Sequence, residues 1–256
     1  MMEEIRNDFL ATERKQDDML IRVQGLSKSY GAKRALDQIN LNIGRGKIVG
    51  LLGPNGSGKT TFIKLLNGLL RPNEGILLVN GYTPGVETKS IISYLPDRMY
   101  FADWMKTVDL MDLFSDFYAD FDRQKAAEMF SALNIRPLDR IKAMSKGTKE
   151  KVQLVLVMSR KAQLYLLDEP IAGVDPAARD FILDTILTNY NENGTVMIST
   201  HLISDIERVL DEVVFLQNGQ IARHDTVDYI RETEGKSVDQ LFREVFRAVP
   251  YQGGDF

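Results

Sequence analysis

Short apolar runs recur along the chain, and most have the length and flanking turns of β-strands. Residues 37–43 alternate polar and apolar side chains, which is typical of a half-buried strand. Residues 47–52 are apolar almost throughout and predict a strand that is buried on both faces. The Asn-Gly pair at 218–219 predicts a hairpin turn. Further strands are expected at 20–23, 75–79, 91–95, 164–167, 196–199 and 213–216.

The pattern changes between about residues 101 and 160, where apolar residues recur at helical spacing. Residues 110–117 place four apolar side chains at positions i, i+3, i+4 and i+7 of an amphipathic helix. Residues 126–133 and 152–158 predict two more helices, and residues 237–247 predict another near the end of the chain. We interpret residues 101–160 as an inserted α-helical subdomain.

Strands that alternate with helices predict an α/β fold with a mixed, largely parallel sheet and a separate antiparallel β region. The ordered domain is expected to span residues 19–248. Residues 1–18 are polar with mixed charges and predict a weakly ordered N-terminal extension. Residues 249–256 predict a loose C-terminal tail.

Composition narrows the class of protein. The chain has 256 residues, of which 44% are apolar, and this is enough for one domain with a substantial core. A formal net charge of −4 without a basic cluster disfavours nucleic-acid binding. The lack of cysteine excludes disulfides and thiolate metal sites, and it fits a reducing compartment. No apolar run approaches the roughly 18 residues that span a bilayer, so work at a membrane would need a partner.

Residues 53–60 read Gly-Pro-Asn-Gly-Ser-Gly-Lys-Thr and match the phosphate-binding pattern G-x-x-x-x-G-K-[ST] at every fixed position. Glycines let backbone N–H groups surround an anion. Lys59 adds charge for the terminal phosphates, and the Thr60 hydroxyl is a ligand for Mg²⁺. A strand before the loop and a helix after it predict a P-loop NTPase core. The residues expected to contact the nucleotide are Gly53, Pro54, Asn55, Gly56, Ser57, Gly58, Lys59, Thr60 and Thr61.

The apolar strand at 164–167 ends in two adjacent carboxylates, Asp168 and Glu169. An aspartate at the end of a strand beside a phosphate loop is placed to hold Mg²⁺. A second carboxylate is placed to orient or deprotonate the attacking water. Because side chains alternate along a strand, Asp168 is expected to face the metal and Glu169 the water. The alternative is a strand end with two solvated acids.

Four further residues or short segments occur along the chain in the same order as the motifs of a known family. They are Tyr30, the Met-Ser-Lys-Gly-Thr segment at 144–148, Asp175, and His201 at the end of a predicted strand. Together with the loop and the acidic pair, they resemble the nucleotide-binding domain of ABC transporters over roughly residues 20–246. Taken alone, Tyr30 would be read as a packing residue and a lone histidine as structural.

The resemblance implies a role for each of these residues. Tyr30 would stack on adenine, and Asp175 would occupy the D-loop of the family. Ser145 and Gly147, which survive from the usual Leu-Ser-Gly-Gly-Gln signature, would face the γ-phosphate of a nucleotide held by a second subunit. His201 would stabilise charge on the γ-phosphoryl group. The catalytic residues implied are Glu169, His201 and Lys59.

The chain departs from the family pattern in two places. Asp97 stands where the family usually has glutamine, so it keeps an oxygen ligand for Mg²⁺ but adds a negative charge. Lys146 and Thr148 replace glycine and glutamine of the signature. Both changes are similar to those in a bacterial subfamily that serves ABC-2-type exporters. The metal ligands implied are Thr60, Asp168 and Asp97.

The resemblance implies an ATP-binding and ATP-hydrolysing subunit that powers a membrane transporter, by subfamily likeness an exporter, through ATP-driven head-to-tail dimerisation. ATP and Mg²⁺ are the implied cofactors. The implied partners are a second ATP-binding subunit, identical or not, and a transmembrane permease, which would hold the chain at the cytoplasmic face of the membrane. The segment Met99, Tyr100, Phe101, Trp104 and Met105 either contacts the permease or is buried in the helical insert.

Two other classes of function compete with this interpretation. A soluble non-transport ABC-type ATPase acting on ribosomes or DNA usually carries two cassettes or a long coiled-coil insertion, and neither pattern occurs in this sequence. A small-molecule phosphotransferase on the same scaffold would leave Ser145, Asp175 and His201 without a role.

Overall fold

The computed structural model describes residues 18–247 of the chain. The predicted N-terminal extension, apart from Asp18, and the predicted tail at 249–256 lie outside the described residues. Within the described range, no helix has both the length and the apolar content needed to cross a lipid bilayer.

Nine β-strands within residues 18–247 form two sheets. The strands are β1 (Met19–Tyr30), β2 (Lys33–Gly44), β3 (Ile48–Leu52), β4 (Glu74–Val79), β5 (Ile92–Leu95), β6 (Leu164–Asp168), β7 (Thr195–Thr200), β8 (Glu212–Gln217) and β9 (Gln220–Thr226). The smaller sheet is antiparallel, with the order β2-β1-β4. The larger sheet has the order β5-β6-β7-β3-β8-β9, and all its pairs are parallel except β8 with β9.

Helices connect most of the strands. They are α1 (Lys59–Leu66), α2 (Val86–Ile91), α3 (Thr107–Phe117), α4 (Arg123–Ala132), α5 (Lys146–Met158), α6 (Pro176–Asn189), α7 (Ile203–Ile206), α8 (Val227–Glu234) and α9 (Val238–Arg247), with 3-10 turns at Ile141–Ala143 and Glu207–Val209. The parallel strands β3, β6 and β7 are neighbours, so their carboxyl ends meet at one edge of the larger sheet. The glycine-rich loop, the acidic pair and His201 follow these three strands and therefore converge there.

Buried apolar side chains form three clusters. The first and second lie on the two faces of the larger sheet, and the second also fills the space beneath the antiparallel sheet. The third lies among α3, α4 and α5. Helix α5 belongs to two of them, with Leu154, Val157 and Met158 in the first cluster and Val152, Val155 and Leu156 in the third. This helix is therefore packed between the larger sheet and the other helices of the insert.

The predicted α/β class is confirmed, with a largely parallel sheet and a separate antiparallel sheet. Strands β1 and β2 extend beyond their predicted ends because they pair with each other as a long hairpin. The strand predicted from Ile91 begins one residue later, because Ile91 ends α2, a helix that the apolar pattern did not predict. Residues 107–158 contain three helices and one 3-10 turn, and the subdomain boundaries at 101 and 160 stay a prediction.

A charged cluster lies at the amino end of β8, at the opposite edge of the sheet from the glycine-rich loop. Glu212 is buried, accepts a hydrogen bond from Lys47 Nζ at 2.5 Å, and lies 3.0 Å from His224 Nε2. The hydrogen bond with His224, reinforced by Lys47, outweighs burial and holds the pKa of Glu212 below its usual value. His224, which belongs to no motif, thus has a structural partner.

Replacing Glu212 with glutamine is expected to lower the free energy of unfolding at neutral pH by roughly 1–3 kcal/mol, because Lys47 and His224 lose a charged partner. A carboxyl group with a lowered pKa contributes stability above the unfolded value of 4.5, and that contribution is lost as the pH falls through the lower folded value. Urea unfolding of both proteins at neutral pH and at a pH well below 4.5 measures the difference. A difference that does not shrink in acid would contradict this explanation.

Candidate functional site

The glycine-rich loop joins β3 to α1, and two of its positions have no room for a side chain. A Cβ atom on Gly53 would lie 2.3 Å from the carbonyl oxygen of Leu216, and one on Gly58 would lie 2.7 Å from that of Ala35. Gly58 also has a φ of 113°, in the left-handed region that favours glycine. Gly58 is the N-cap of α1, so no side-chain cap occupies the N–H groups of the first helical turn. These N–H groups are therefore available to an anion.

Lys59 begins α1, and its side chain is 5% exposed. Its Nζ atom donates hydrogen bonds to the carbonyl oxygens of Gly53 at 2.8 Å and Pro54 at 3.3 Å. The same atom lies 3.2 Å from Glu169 Oε1. The loop therefore holds a buried ammonium group beside the helix terminus, where it can donate charge-assisted hydrogen bonds to phosphate oxygens.

Asp168 ends β6 and is fully buried. Its Oδ1 atom accepts hydrogen bonds from Ser199 Oγ at 2.6 Å and from Thr60 Oγ1 at 3.2 Å. Its Oδ2 atom is buried and has no hydrogen-bond partner among the described residues. Burial raises the pKa of Asp168, while the two hydroxyl groups oppose that rise. A buried carboxylate with one oxygen left unpaired is suited to a cation.

Glu169 follows the strand with its backbone in the left-handed region, at a φ of 51°. Its N–H group donates to the carbonyl oxygen of Ser199 at 3.0 Å and to Ser199 Oγ at 3.1 Å. This turn, rather than alternation along a strand, sets the direction of the Glu169 side chain, so that part of the sequence argument was wrong. The two Oε atoms lie 3.2 and 3.1 Å from His201 Nδ1. Lys59, Glu169 and His201 thus form one continuous set of contacts.

Asp97 shares a cavity of about 150 Å³ with Asp168 and Glu169. Its side chain is 40% exposed and lies 3.7 Å from Arg98 Nε. The charge of Asp97 also contributes to the raised pKa of Asp168. Within the described part of the chain, no three His, Cys, Asp or Glu side chains are grouped closely enough to form a metal site from protein ligands alone.

Ser145 is the N-cap of α5, and its Oγ atom accepts a hydrogen bond from the N–H of Thr148 at 3.2 Å. Ser145, Lys146 and Gly147 are exposed. Lys146 Nζ lies 3.7 Å from Glu150 Oε1, and Lys146 lines the cavity beside Asp97. Among the described residues that line this cavity, neither Ser145 nor Gly147 occurs. The signature segment is therefore presented at the surface.

The remaining predicted residues lie at the edges of this region. Tyr30 ends β1, is 49% exposed, and has the ammonium group of Lys28 5.7 Å from its ring centroid. Asp175 is exposed directly before α6, and Thr61 lies in the first turn of α1. In the loop itself, Ser57 is buried, whereas the exposed predicted residues are Pro54, Asn55 and Gly56.

Sequence reasoning missed Ser199 as a site residue. Ser199 pairs with Asp168 across the parallel strands β6 and β7, which places its hydroxyl against the carboxylate. The available signal was a hydroxyl residue at the end of the strand that precedes His201. Its partner could not be read from the sequence, because register between parallel strands is set by tertiary packing.

The combination of a glycine-rich loop that opens a helix, a buried lysine and an adjacent acidic strand defines a P-loop nucleotide-binding protein. Comparison with known proteins identifies the family within this class. The ABC transporter family profile matches residues 36–172. The chain therefore belongs to the ABC transporter family, and it is an ATP-binding subunit with ATPase activity.

Two relatives illustrate the likeness. The ABC transporter ATP-binding protein YtrB of Bacillus subtilis (strain 168) is 31% identical over 216 residues, which cover 83% of this chain and 74% of that protein. The SkfA peptide export ATP-binding protein SkfE of the same organism is 30% identical over 209 residues, which cover 79% of this chain and 87% of that protein.

Solved structures agree with the fold. An ATP-binding subunit of an ABC transporter is 28% identical, with a TM-score of 0.80 over 89% of this chain and 99% of that chain. A dimeric ATP-binding cassette in a post-hydrolysis state, bound to ADP and Pi, has a TM-score of 0.71 at 21% identity, over 80% of this chain and 98% of that chain. The second likeness bears on the fold alone.

Proposed function

We propose that two copies of this chain, or one copy and a sister subunit, close head to tail around ATP and drive a membrane exporter. The observation that carries the proposal is that Ser145 and Gly147, at the signature position, are exposed and do not line the acidic cavity of their own chain, although Lys146 between them does. In the proposed dimer, this surface binds the ATP that is held in the glycine-rich loop of the partner subunit. Relatives such as the peptide export protein SkfE support the export direction.

In this proposal, the chain binds ATP through the loop and the first turn of α1. Lys59 contacts the β- and γ-phosphates, and backbone N–H groups at 56–61 with the Thr61 hydroxyl contact the α- and β-phosphates. The exposed ring of Tyr30 stacks on adenine. Ser145 and Gly147 of the opposing subunit face the γ-phosphate, and Asp175 lies at the same dimer interface.

The site also fits Mg²⁺. Asp168 offers the unpaired oxygen Oδ2, and Thr60 Oγ1 lies next to its other oxygen. Mg²⁺ usually keeps several waters and binds one or two carboxylates plus substrate phosphates, so the small number of protein ligands is appropriate. Thr60 and Asp168 would hold the ion with Asp97 assisting. When bound, it would neutralise charge on the phosphates.

Replacing Ser199 with alanine is expected to raise the Mg²⁺ concentration that half-saturates ATP hydrolysis by roughly three- to tenfold. The hydroxyl that orients Asp168 Oδ1 would be lost, and the already raised pKa of Asp168 would rise further. Mg²⁺ titrations of phosphate release measure the effect. A titration identical to that of the unmodified protein would place Ser199 outside the metal-binding arrangement.

Glu169 and His201 would perform the chemistry at the γ-phosphate. The Glu169 carboxylate would orient and accept a proton from the attacking water, while His201 would stabilise charge on the phosphoryl group. Their mutual contact at 3.1–3.2 Å fixes the imidazole against the carboxylate in the structure. The charge stabilisation depends on this placement.

We propose that the permease binds in the cleft between the larger sheet and the helical insert. This cleft has a volume of about 510 Å³, and among the described residues that line it Asp97 is the one acid. The cations that line it are Lys64, Lys89, Arg98 and Arg160, of which Arg160 is buried and already paired with Asp120. Exposed Leu69 and Tyr100 stand at the same cleft. A helical segment with acidic and apolar side chains is the complementary partner.

The aromatic segment at 99–105 divides between the two roles considered for it. Phe101 is buried, and Met99 and Met105 pack on the third apolar cluster. Tyr100 and Trp104 are 53% and 68% exposed. Burial therefore accounts for three of the side chains, and the two exposed rings are available to the permease at the cytoplasmic face of the membrane.

Reversing a charge in the cleft tests the permease site. Lys89→Glu should abolish co-purification with the transmembrane permease proposed as the partner, since like charges would then face each other. Lys236→Glu, outside the cleft, is the control and should co-purify normally. Retention of the complex by the Lys89 variant would argue against this docking site.

Mixing two inactive variants tests the shared site. Lys59→Ala damages the loop, and Ser145→Arg blocks the signature, so each homodimer should be inactive. A mixed dimer unites the intact loop of one chain with the intact signature of the other, and an equal mixture should recover about a quarter of normal turnover. No recovery in a mixture that forms dimers would contradict a site built from two chains.

A further inference from the structure

Arg179, near the start of α6, connects two segments that flank the candidate catalytic residues. Its Nε atom donates a hydrogen bond to the carbonyl oxygen of Val174 at 2.9 Å. Its Nη1 atom donates to Asp205 Oδ2 at 2.7 Å. Val174 belongs to the segment that follows Glu169, and Asp205 lies in α7, four residues after His201. One guanidinium group thus ties both segments together.

These contacts close a ring through the site. Two segments are involved: the one that begins at Glu169 and contains Val174, and the one that begins at His201 and contains Asp205. Glu169 contacts His201 directly, and Arg179 links Val174 to Asp205. The side chains of Arg179 and Asp205 are 26% and 31% exposed, so the pair is partly shielded from water. A planar guanidinium group donates hydrogen bonds along fixed directions, so its two bonds also set the distance between the two segments that accept them.

We propose that Arg179 is a positioning residue for ATP hydrolysis, which keeps the segment at 172–175 and the segment after His201 at the separation that holds His201 against Glu169. The inference rests on the roles proposed above for Glu169 and His201. Arg179 acts through those residues and through the loop that carries Asp175, so it affects the turnover step rather than the binding of ATP. ATP affinity depends instead on Lys59 and the glycine-rich loop.

A second ion pair supplies a matched control. Arg208 Nη2 lies 3.3 Å from Asp180 Oδ1 and also joins α6 to the segment after α7. Both side chains are well exposed, at 60% and 71%. No hydrogen bond from the Arg208 side chain to residues 172–175 is found among the described residues. Loss of Arg208 removes an ion pair between these elements and leaves the Arg179 contacts intact.

The experiment compares Arg179→Ala, Asp205→Ala, the double variant and Arg208→Ala in the full chain. We expect the first two to lower kcat about tenfold while the Kd for ATP changes less than about twofold, because a small displacement of catalytic groups has a large effect on rate. The double variant should lose no more kcat than either single variant, because each substitution already breaks the link between the two segments. Arg208→Ala should stay within about twofold of the unmodified protein.

The conservative replacement Arg179→Lys refines the test. Lysine keeps the charge that faces Asp205 but has one nitrogen in place of the two that contact Val174 and Asp205. Its kcat should lie between those of the unmodified protein and Arg179→Ala. If Arg179→Ala does not fold, Arg179→Lys and Asp205→Asn carry the same comparison, and an unmodified kcat in both would overturn the inference.

Three other results would overturn it: a folded Arg179→Ala protein with normal kcat, losses that multiply in the double variant, or an equal loss in Arg208→Ala. The variants Glu169→Gln and His201→Ala show whether a negative result concerns Arg179 alone or the catalytic roles proposed for Glu169 and His201. If either keeps normal kcat, the catalytic assignment fails and the role of Arg179 fails with it. If both lose turnover while Arg179→Ala does not, only the Arg179 inference is wrong.

Discussion

Glu169→Gln is expected to bind ATP but to hydrolyse it about 100- to 10,000-fold more slowly than the unmodified protein. The glutamine amide cannot take a proton from water, although it fills the same space next to His201. ATP binding should persist because Lys59 loses a negatively charged neighbour at 3.2 Å and stays available to phosphate. Phosphate release and equilibrium ATP binding measure the two effects, and size-exclusion chromatography with ATP should reveal an accumulated dimer.

Asp180→Asn is the control for this variant, since it removes an exposed carboxylate from α6 without touching the acidic strand. It should hydrolyse ATP at the normal rate and should not accumulate as a dimer. Normal turnover in Glu169→Gln would remove Glu169 from the catalytic role. A monomer in the presence of ATP, with hydrolysis blocked, would count against head-to-tail closure.

Lys59→Ala is expected to weaken ATP binding by roughly 10- to 100-fold, the loss that corresponds to one or two charge-assisted hydrogen bonds. The ammonium group is buried within the loop, already directed by the carbonyl oxygens of Gly53 and Pro54. Alanine would leave the helix terminus as the remaining positive group for the terminal phosphates. Titration with a fluorescent ATP analogue measures the change.

Lys47→Ala provides a comparison at the other end of β3, where a lysine also pairs with a glutamate. Its loss should lower the free energy of unfolding and leave ATP affinity unchanged at a temperature where the protein is folded. If Lys59→Ala bound ATP with normal affinity, the loop would not be the phosphate site.

Much of the site could be predicted because its residues lie in motifs of fixed local spacing. The loop and His201 each follow a strand whose apolar sequence is distinctive, and Asp168 is the last residue of another. Parallel strands bring such ends together. The contact between Thr60 and Asp168 follows from that arrangement. The same reasoning predicted the sheet strands, although their ends moved where hairpin pairing lengthened them.

The remaining features depend on contacts between distant parts of the chain. Ser199 faces Asp168 because of register across two strands, and Arg179 meets Asp205 only after α6 packs beside α7. The left-handed backbone of Glu169 is stabilised by hydrogen bonds to Ser199, a residue 30 positions away. Local sequence patterns contain no signal for any of these contacts, because each depends on the tertiary fold.

The double packing of α5 restricts how the signature can diverge. Every residue from Val152 to Met158 is buried, and the six apolar side chains among them are divided between two apolar clusters. Substitutions between Val152 and Met158 would disturb the packing of both apolar clusters, whereas the first turn of α5 belongs to neither cluster. Lys146 and Thr148, two departures from the family signature, fall in that turn. Substitutions in this helix should therefore cost least in stability at its first turn, the end that we propose faces the nucleotide of a partner subunit.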